Sequence, residues 1–290
     1  MHLGFTAFNV GNLASPEFGR LAELIDELDY ESLWTAEHIV LPDLPPGPDV
    51  RRAGNTPFLD SIAVLGFLAA HTRRIKLATG VLLLPQHNPL LLAKQLASVD
   101  VLSGGRLIVG IGVGSVEEEA QAMGAPMRER GSRANEYVEA MIALWTQDHP
   151  IYSGKHVSFS GINAYPRPVQ KPYPPFVIGG RSEGAYRRTA RYARGWYGFN
   201  INLEQTRAFI ASIARAVDRY GRPAELGPVE ITVAPSESLS PSVIDAYAAA
   251  GVSRLLMRLP VDGSLADAER VIRDNAPGRE RAASAAQGTA

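Results

Sequence analysis

The apolar positions of this chain fall into two alternating kinds of stretch, short continuous runs and longer segments with helical spacing. The clearest passage runs from Ile75 to Glu119. Ile75 to Thr79 reads as a strand, followed at once by Gly80-Val81-Leu82-Leu83-Leu84-Pro85. Asn88 offers a helix N-cap and Pro89 suits the first turn. Leu90 to Leu102 keeps helical periodicity, Ser103-Gly104-Gly105 stops the helix, and Leu107 to Val113 is a second apolar strand. Two buried strands joined by a helix predict a parallel βαβ unit. Both run into glycine at their C-terminal ends, Gly80 after the first and Gly112 and Gly114 after the second. Ligands of parallel α/β folds bind at that edge, so a cofactor or substrate is expected across these two strand ends.

The same pattern continues on either side. Leu3 to Asn9 reads as a first strand with Gly11-Asn12 as its exit. A helix follows from Ser15-Pro16 to about Asp29, with Leu21, Leu24, Ile25 and Leu28 on one face. Ser32 to Glu37 is a second strand that delivers Glu37 and His38. The proline-rich stretch 39–56 is a long loop, of the length often found in active-site lids, and Pro57 to His71 is a helix. A short helix after Glu119 ends near Gly124, and Arg130-Gly131-Ser132 opens another that reaches Trp145. Residues 147–175 carry a hairpin-like segment and many prolines, and read as an insertion. Strand five is Phe176 to Ile178, and a helix starts at Ser182 or Glu183. Strands six to eight are Trp196 to Asn200, Val229 to Val233 and Arg254 to Leu259, each followed by a helix. Eight strand–helix units predict a single α/β domain, a (β/α)8 TIM barrel over residues 1–277, with the insertion before strand five and 278–290 as a flexible tail. The rival, a doubly wound open sheet, lacks a Gly-x-Gly-x-x-Gly after its first strand.

Composition narrows the chemistry. A net charge of −1 with no basic run argues against nucleic acid as a partner. The absence of cysteine excludes disulfides and thiolate catalysis. No apolar run reaches the roughly 20 residues of a membrane helix, and Met1-His2-Leu3-Gly4 has no signal-peptide pattern. A soluble, cytoplasmic protein with a small-molecule substrate is expected, with a homodimer left open. No His/Asp/Glu cluster has metal spacing, so no metal is expected. Ser115 lacks the second glycine of a nucleophile elbow.

Three places remain as candidate chemistry. Glu37 and His38, at a strand end, suit an acid/base pair, although alternation puts them on opposite faces of the strand. Their bland reading, a loop cap and a packing residue, stands at even odds. A glycine within the run Thr79-Gly80-Val81 suggests a bulge or close backbone approach, and Val113-Gly114-Ser115 with Glu118 follows the next strand. Gly179-Gly180-Arg181-Ser182 opens a helix, and its free N–H groups with Arg181 and the Ser182 hydroxyl would cradle a phosphate. A plain loop is the alternative there. The exits of strands seven and eight, Ala234-Pro235-Ser236 and Pro260-Val261-Asp262-Gly263, offer one glycine between them.

Four blocks together resemble the luciferase-like monooxygenase superfamily. They are Ser32 to His38; Thr79-Gly80-Val81 with His87-Asn88-Pro89 and Ala93-Lys94-Gln95; Ser103 to Arg106 with Gly110 to Gly114; and Lys171-Pro172 with Pro174-Pro175 before Gly179-Gly180. They span residues 3 to 260, and within the superfamily they look most like the branch that uses coenzyme F420, a deazaflavin. The resemblance implies a (β/α)8 oxidoreductase with an acidic residue and a histidine beside the hydride-transferring carbon. Glu37 stands where Asp is common in that branch. The resemblance also implies a bulge with a non-prolyl cis peptide at Gly80-Val81 under the cofactor ring, and the cofactor phosphate in the Gly179–Ser182 loop. Hydride transfer to or from a small organic substrate follows with coenzyme F420; with FMN as the alternative cofactor, monooxygenation follows. Rivals of another class are a non-redox phosphate-binding barrel, for which no catalytic Lys stands at a strand end, and a non-catalytic cofactor-binding barrel.

Overall fold

A computed structural model describes residues 1–11, 17–43, 54–260 and 263–277. Eight strands close a parallel ring: β1 (His2–Thr6), β2 (Ser32–Thr35), β3 (Lys76–Thr79), β5 (Leu107–Gly112), β8 (Phe176–Gly179), β9 (Gly195–Ile201), β10 (Glu230–Pro235) and β11 (Arg254–Arg258). Around the ring they follow the order β3-β2-β1-β11-β10-β9-β8-β5, and β5 pairs back with β3. Helices flank the ring: α1 (Phe18–Glu27), α2 (Ser61–His71), α3 (Pro89–Leu102), α5 (Arg130–Thr146), α6 (Glu183–Tyr192), α7 (Leu203–Tyr220), α8 (Pro241–Ala249) and α9 (Leu265–Asp274), with α4 (Glu117–Ala122) a short one past β5. Two short strands, β6 (Tyr152–Ser153) and β7 (Ser158–Phe159), form an antiparallel hairpin between α5 and β8.

A further short strand, β4 (Leu82–Leu83), lies outside the ring and was not foreseen. It pairs with β5 through Leu82↔Ile111 and Leu83↔Gly112, while β3 pairs through Ala78↔Ile108. Between those pairs the β3–β4 chain holds one residue more than β5, which is a one-residue bulge at Gly80-Val81. The expected helix cap holds: the Asn88 side chain accepts from Leu90 and Leu91 N–H, with Pro89 in the first turn. Several boundaries differ from expectation, among them the second strand, which stops at Thr35 and leaves Glu37 and His38 beyond it. The first strand stops at Thr6, because Ala7 takes a left-handed φ of 55°. Asn9 becomes a buried hub instead: its amide donates to Ala36 O and Leu59 O and its oxygen accepts from Ala36 N. The second helix starts at Ser61 rather than Pro57, because Asp60 is extended and caps it through Ala63 N. The cap at Ser15-Pro16, the middle of the 39–56 loop and the tail from 278 lie outside the described residues.

Seven of the ring strands each send one side chain into the lumen: Trp34, Ala78, Ile108, Val177, Tyr197, Ala234 and Leu256. Trp34 stacks on Tyr197 with ring centroids 5.4 Å apart. The lumen is therefore a packed core and not a channel. At its N-terminal floor, buried Arg254 makes a forked pair with Glu31, both bonds 2.6 Å. Burial alone would raise the Glu31 pKa, but the Arg254 bonds and charge prevail and hold it at about 2. The apolar plug and the ion-paired floor leave the C-terminal mouth as the face that can receive a ligand.

Candidate active site at the barrel mouth

Past the end of β2, Glu37 and His38 part company, and each finds a partner of the opposite kind. Glu37 is 8% exposed. Its Oε2 accepts from Leu83 N at 2.6 Å and from His87 Nε2 at 2.9 Å. The carboxylate thus ties β4 and the turn after it to the β2 exit. Burial would lower the His87 pKa, but the hydrogen bond and charge of Glu37, with Asp60 behind them, raise it.

His38 turns the other way. Its Nδ1 lies 3.0 Å from Glu119 Oε2, and the other Glu119 oxygen accepts from Ile39 N at 2.7 Å. The Glu119 side chain is fully buried and that of His38 is 22% exposed. Phe58 meets the imidazole edge-on at 5.2 Å. An ionised carboxylate at Nδ1 fixes the proton there and leaves Nε2 as the ring nitrogen that can take or give one. Among the described residues Nε2 makes no hydrogen bond.

Val81 sits over the middle of the mouth. The peptide before it is cis, the geometry the family resemblance implies. Its side chain packs on the lumen cluster. A Cβ on Gly112 would come within 2.5 Å of it, and one on Gly179 within 3.1 Å. These glycines, the last residues of β5 and β8, are what let this side chain lie over the two strand ends. Thr79 is turned inward, its hydroxyl bonded to Gly110 N and O, both at 2.8 Å. It fastens β3 to β5 and presents no free group.

Beyond β5, Val113 and Gly114 are half-buried and Ser115 is exposed. Arg130 reaches from α5 to donate to Gly114 O. Glu118 is exposed, while its neighbour Glu119 is the buried partner of His38. Beside Gly114 lies Gln86, 6% exposed, with neither amide atom hydrogen-bonded among the described residues. A buried primary amide with donor and acceptor both free is costly and calls for a polar partner.

At the β8 exit, Gly180 has φ 116° and Ser182 caps α6 through Ala185 N. Arg181 is exposed; it donates to Phe199 O at 2.6 Å and stacks over Phe209. The helix start expected as a phosphate cradle exists, but Ser182 and Arg181 are both engaged there. A cavity of about 260 Å³ opens at the exits of β10 and β11, lined in part by Ser236, Glu237, Arg258 and Asn275. It lies two to three strands round the ring from β2, away from both histidine–carboxylate pairs. No metal-holding cluster occurs among the described residues, and no helix among them is long and apolar enough to cross a membrane.

His87, Glu119 and Gln86 were not singled out in the sequence. Glu119 carried a readable signal: it shares a helical face with buried Val116 and Ala120, whereas Glu118 does not.

The family model described as Luciferase-like monooxygenase matches residues 5–289. An uncharacterized protein of Mycobacterium tuberculosis is 32% identical over 284 residues, which is 92% of this chain and 95% of that one. An FMNH(2)-dependent dimethylsulfone monooxygenase of Pseudomonas putida is 32% identical over 172 residues, 58% of this chain and 47% of the relative. Among solved structures, an F420-dependent secondary alcohol dehydrogenase superposes with a TM-score of 0.75 at 13% identity, covering 94% of this chain and 97% of the other.

Proposed function

Because this chain belongs to the luciferase-like monooxygenase family, and is an oxidoreductase of the flavin- or deazaflavin-dependent kind, we propose that it transfers a hydride between coenzyme F420 and a small organic substrate. The residues at the mouth fit a tricyclic cofactor. Gly112 and Gly179 let the Val81 side chain lie close over the strand ends, where it would offer an apolar surface to a flat ring, and the Gln86 amide, without a partner among the described residues, offers a donor and an acceptor side by side. Thr79, Gly80, Val81, Val113, Gly114 and Ser115 would border the ring, and the Gly179–Ser182 loop would take the phosphate. Glu118, which faces solvent, keeps only a place at the rim. When bound, the deazaflavin supplies the hydride chemistry.

The observation that carries this reading is the His38–Glu119 pair. It holds an imidazole at the mouth with Nδ1 occupied and with Nε2 unbonded among the described residues. His38 would move the proton that accompanies hydride transfer, at Nε2, and Glu119 would fix its tautomer and orientation. Glu37 binds β4 and charges His87, so it shapes the site rather than exchanging the substrate proton. The dimethylsulfone monooxygenase relative supports a second reading, with FMN and monooxygenation. Titrating the purified protein with coenzyme F420 and with FMN, each followed by fluorescence, tests both. Tighter binding of FMN would replace the first reading by the second, and binding of neither would remove both.

A further inference from the structure

Behind the expected phosphate loop lies a cation that neither the mechanism nor the barrel core uses. Arg188, in the second turn of α6, is 4% exposed. Its hydrogen bonds among the described residues run from Nη1 alone, to Gly131 O at 3.4 Å and Asn135 Oδ1 at 3.1 Å on the first turns of α5. Nε is buried, with no partner among the described residues. No carboxylate among the described residues pairs with the guanidinium, and Arg188 stands apart from the arginines that do find one, such as Arg133 with Glu129 and Arg219 with Glu183. Burial lowers its pKa to about 10, which leaves it charged at neutral pH.

Its position is specific. A Cβ on Gly184 would lie 3.8 Å from both Nη atoms and 3.9 Å from the Ser182 hydroxyl. The guanidinium therefore rests against the first turn of α6, close to that helix's N–H groups, and it touches the first turn of α5 as well. Two helix N-termini and a buried arginine bring positive charge together, and among the described residues no carboxylate pairs with that arginine. A buried charge with no counter-ion is destabilising, and a planar guanidinium matches the oxygens of a phosphate.

We propose that Arg188 is the charged anchor of the phosphate site at the α6 N-terminus, and that it binds the phosphate carried by the cofactor's ribityl chain. This rests on the reading of the protein as a flavin or deazaflavin enzyme. Arg181, exposed and occupied with Phe199 and Phe209, is then a rim residue whose charge is screened by solvent.

The test compares phosphorylated with phosphate-free ligands. Affinities of the intact protein and of Arg188→Gln are measured for FMN against riboflavin, and for coenzyme F420 against its core lacking the phosphate-bearing tail. The expected result is a loss of about tenfold or more for the phosphorylated member of the pair that binds, with its partner unchanged. Arg188→Lys should recover part of the loss, since it keeps the charge but not the fork. The ligand-free variant should melt within a few degrees of the parent. Equal loss for both members, or an unchanged ratio, would overturn the proposal and make Arg188 a tie between α5 and α6. If the parent binds neither cofactor, the functional reading fails by itself. Inorganic phosphate then decides the anchor: it should raise the melting temperature of the parent, relative to chloride at equal ionic strength, and not that of Arg188→Gln or, if that variant does not fold, less that of Arg188→Lys. No difference between parent and variant would sink it.

Discussion

Two histidine–carboxylate pairs stand side by side at the mouth, and they are wired in opposite senses. In one the carboxylate belongs to the β2 exit and the imidazole to the turn after β4; in the other the β2 exit supplies the imidazole and α4 the carboxylate. Glu37 puts one oxygen on both Leu83 N and His87, so the pair joins two backbone segments. Glu119 puts one oxygen on His38 and the other on the next residue's N–H, so both of its bonds serve to hold a single imidazole. The difference separates a clamp from a proton carrier. A carrier needs a ring nitrogen with no fixed partner, and among the described residues nothing bonds His38 Nε2.

If that division is right, His38→Ala should show the largest effect. Turnover of reduced cofactor should fall by about 10²–10⁴, the usual contribution of a positioned acid or base, while cofactor affinity stays within a few-fold. A large loss of affinity in the binding titration would make His38 a packing residue against Phe58 instead. Glu119→Gln should fall between parent and His38→Ala. The amide can still accept from Ile39 N but no longer fixes the His38 proton at Nδ1, so kcat should fall with KM unchanged, a split that a merely structural change would not give.

How much of this could be read beforehand follows from what kind of signal each residue leaves. The ring of strands was legible because buried parallel strands are continuous apolar runs bounded by glycine. The sequence put Glu37 and His38 on opposite faces of a strand, but β2 stops at Thr35, so they diverge in the loop past the strand and not by its alternation. Their partners could not be read, since His87 and Glu119 come from elements 50 and 81 residues away. Arg181 drew attention because it lies in a glycine-rich loop. Arg188 looked like one more charge on an amphipathic helix, and only the packing of α6 on α5 buries it. The bulge was legible from Gly80, but strand β4 was not, because an apolar run carries no mark of where pairing resumes past a bulge.

Glu37→Gln sharpens the contrast from the other side. It removes the anion from Leu83 N and His87 and leaves a buried amide that can satisfy only part of the network. Stability should fall by about 1–3 kcal/mol, read from denaturant unfolding. Turnover should drop far less than in His38→Ala. A loss of turnover as large as that of His38→Ala, with stability unchanged, would reverse the two roles.

The smallest expected effect is the most particular to the clamp. The His87 pKa is raised in the folded protein above its ordinary 6.5. A base whose folded pKa is raised binds its proton more tightly when folded. Its contribution to stability is therefore complete below about pH 6.5 and is lost as pH rises through the folded value. Burial acts on His87 in the opposite direction and is overcome chiefly by Glu37. Removing the Glu37 charge should leave burial opposed only by Asp60, so the slope should flatten or change sign. The measurement is the difference between the stability–pH curves of the parent and Glu37→Gln from pH 5 to pH 9, which cancels the groups common to both. The gap should be widest at the acid end and narrow toward the alkaline end. A gap constant across that range would mean that His87 is uncharged in the clamp, and that Glu37 acts there only as an acceptor for the β4 backbone.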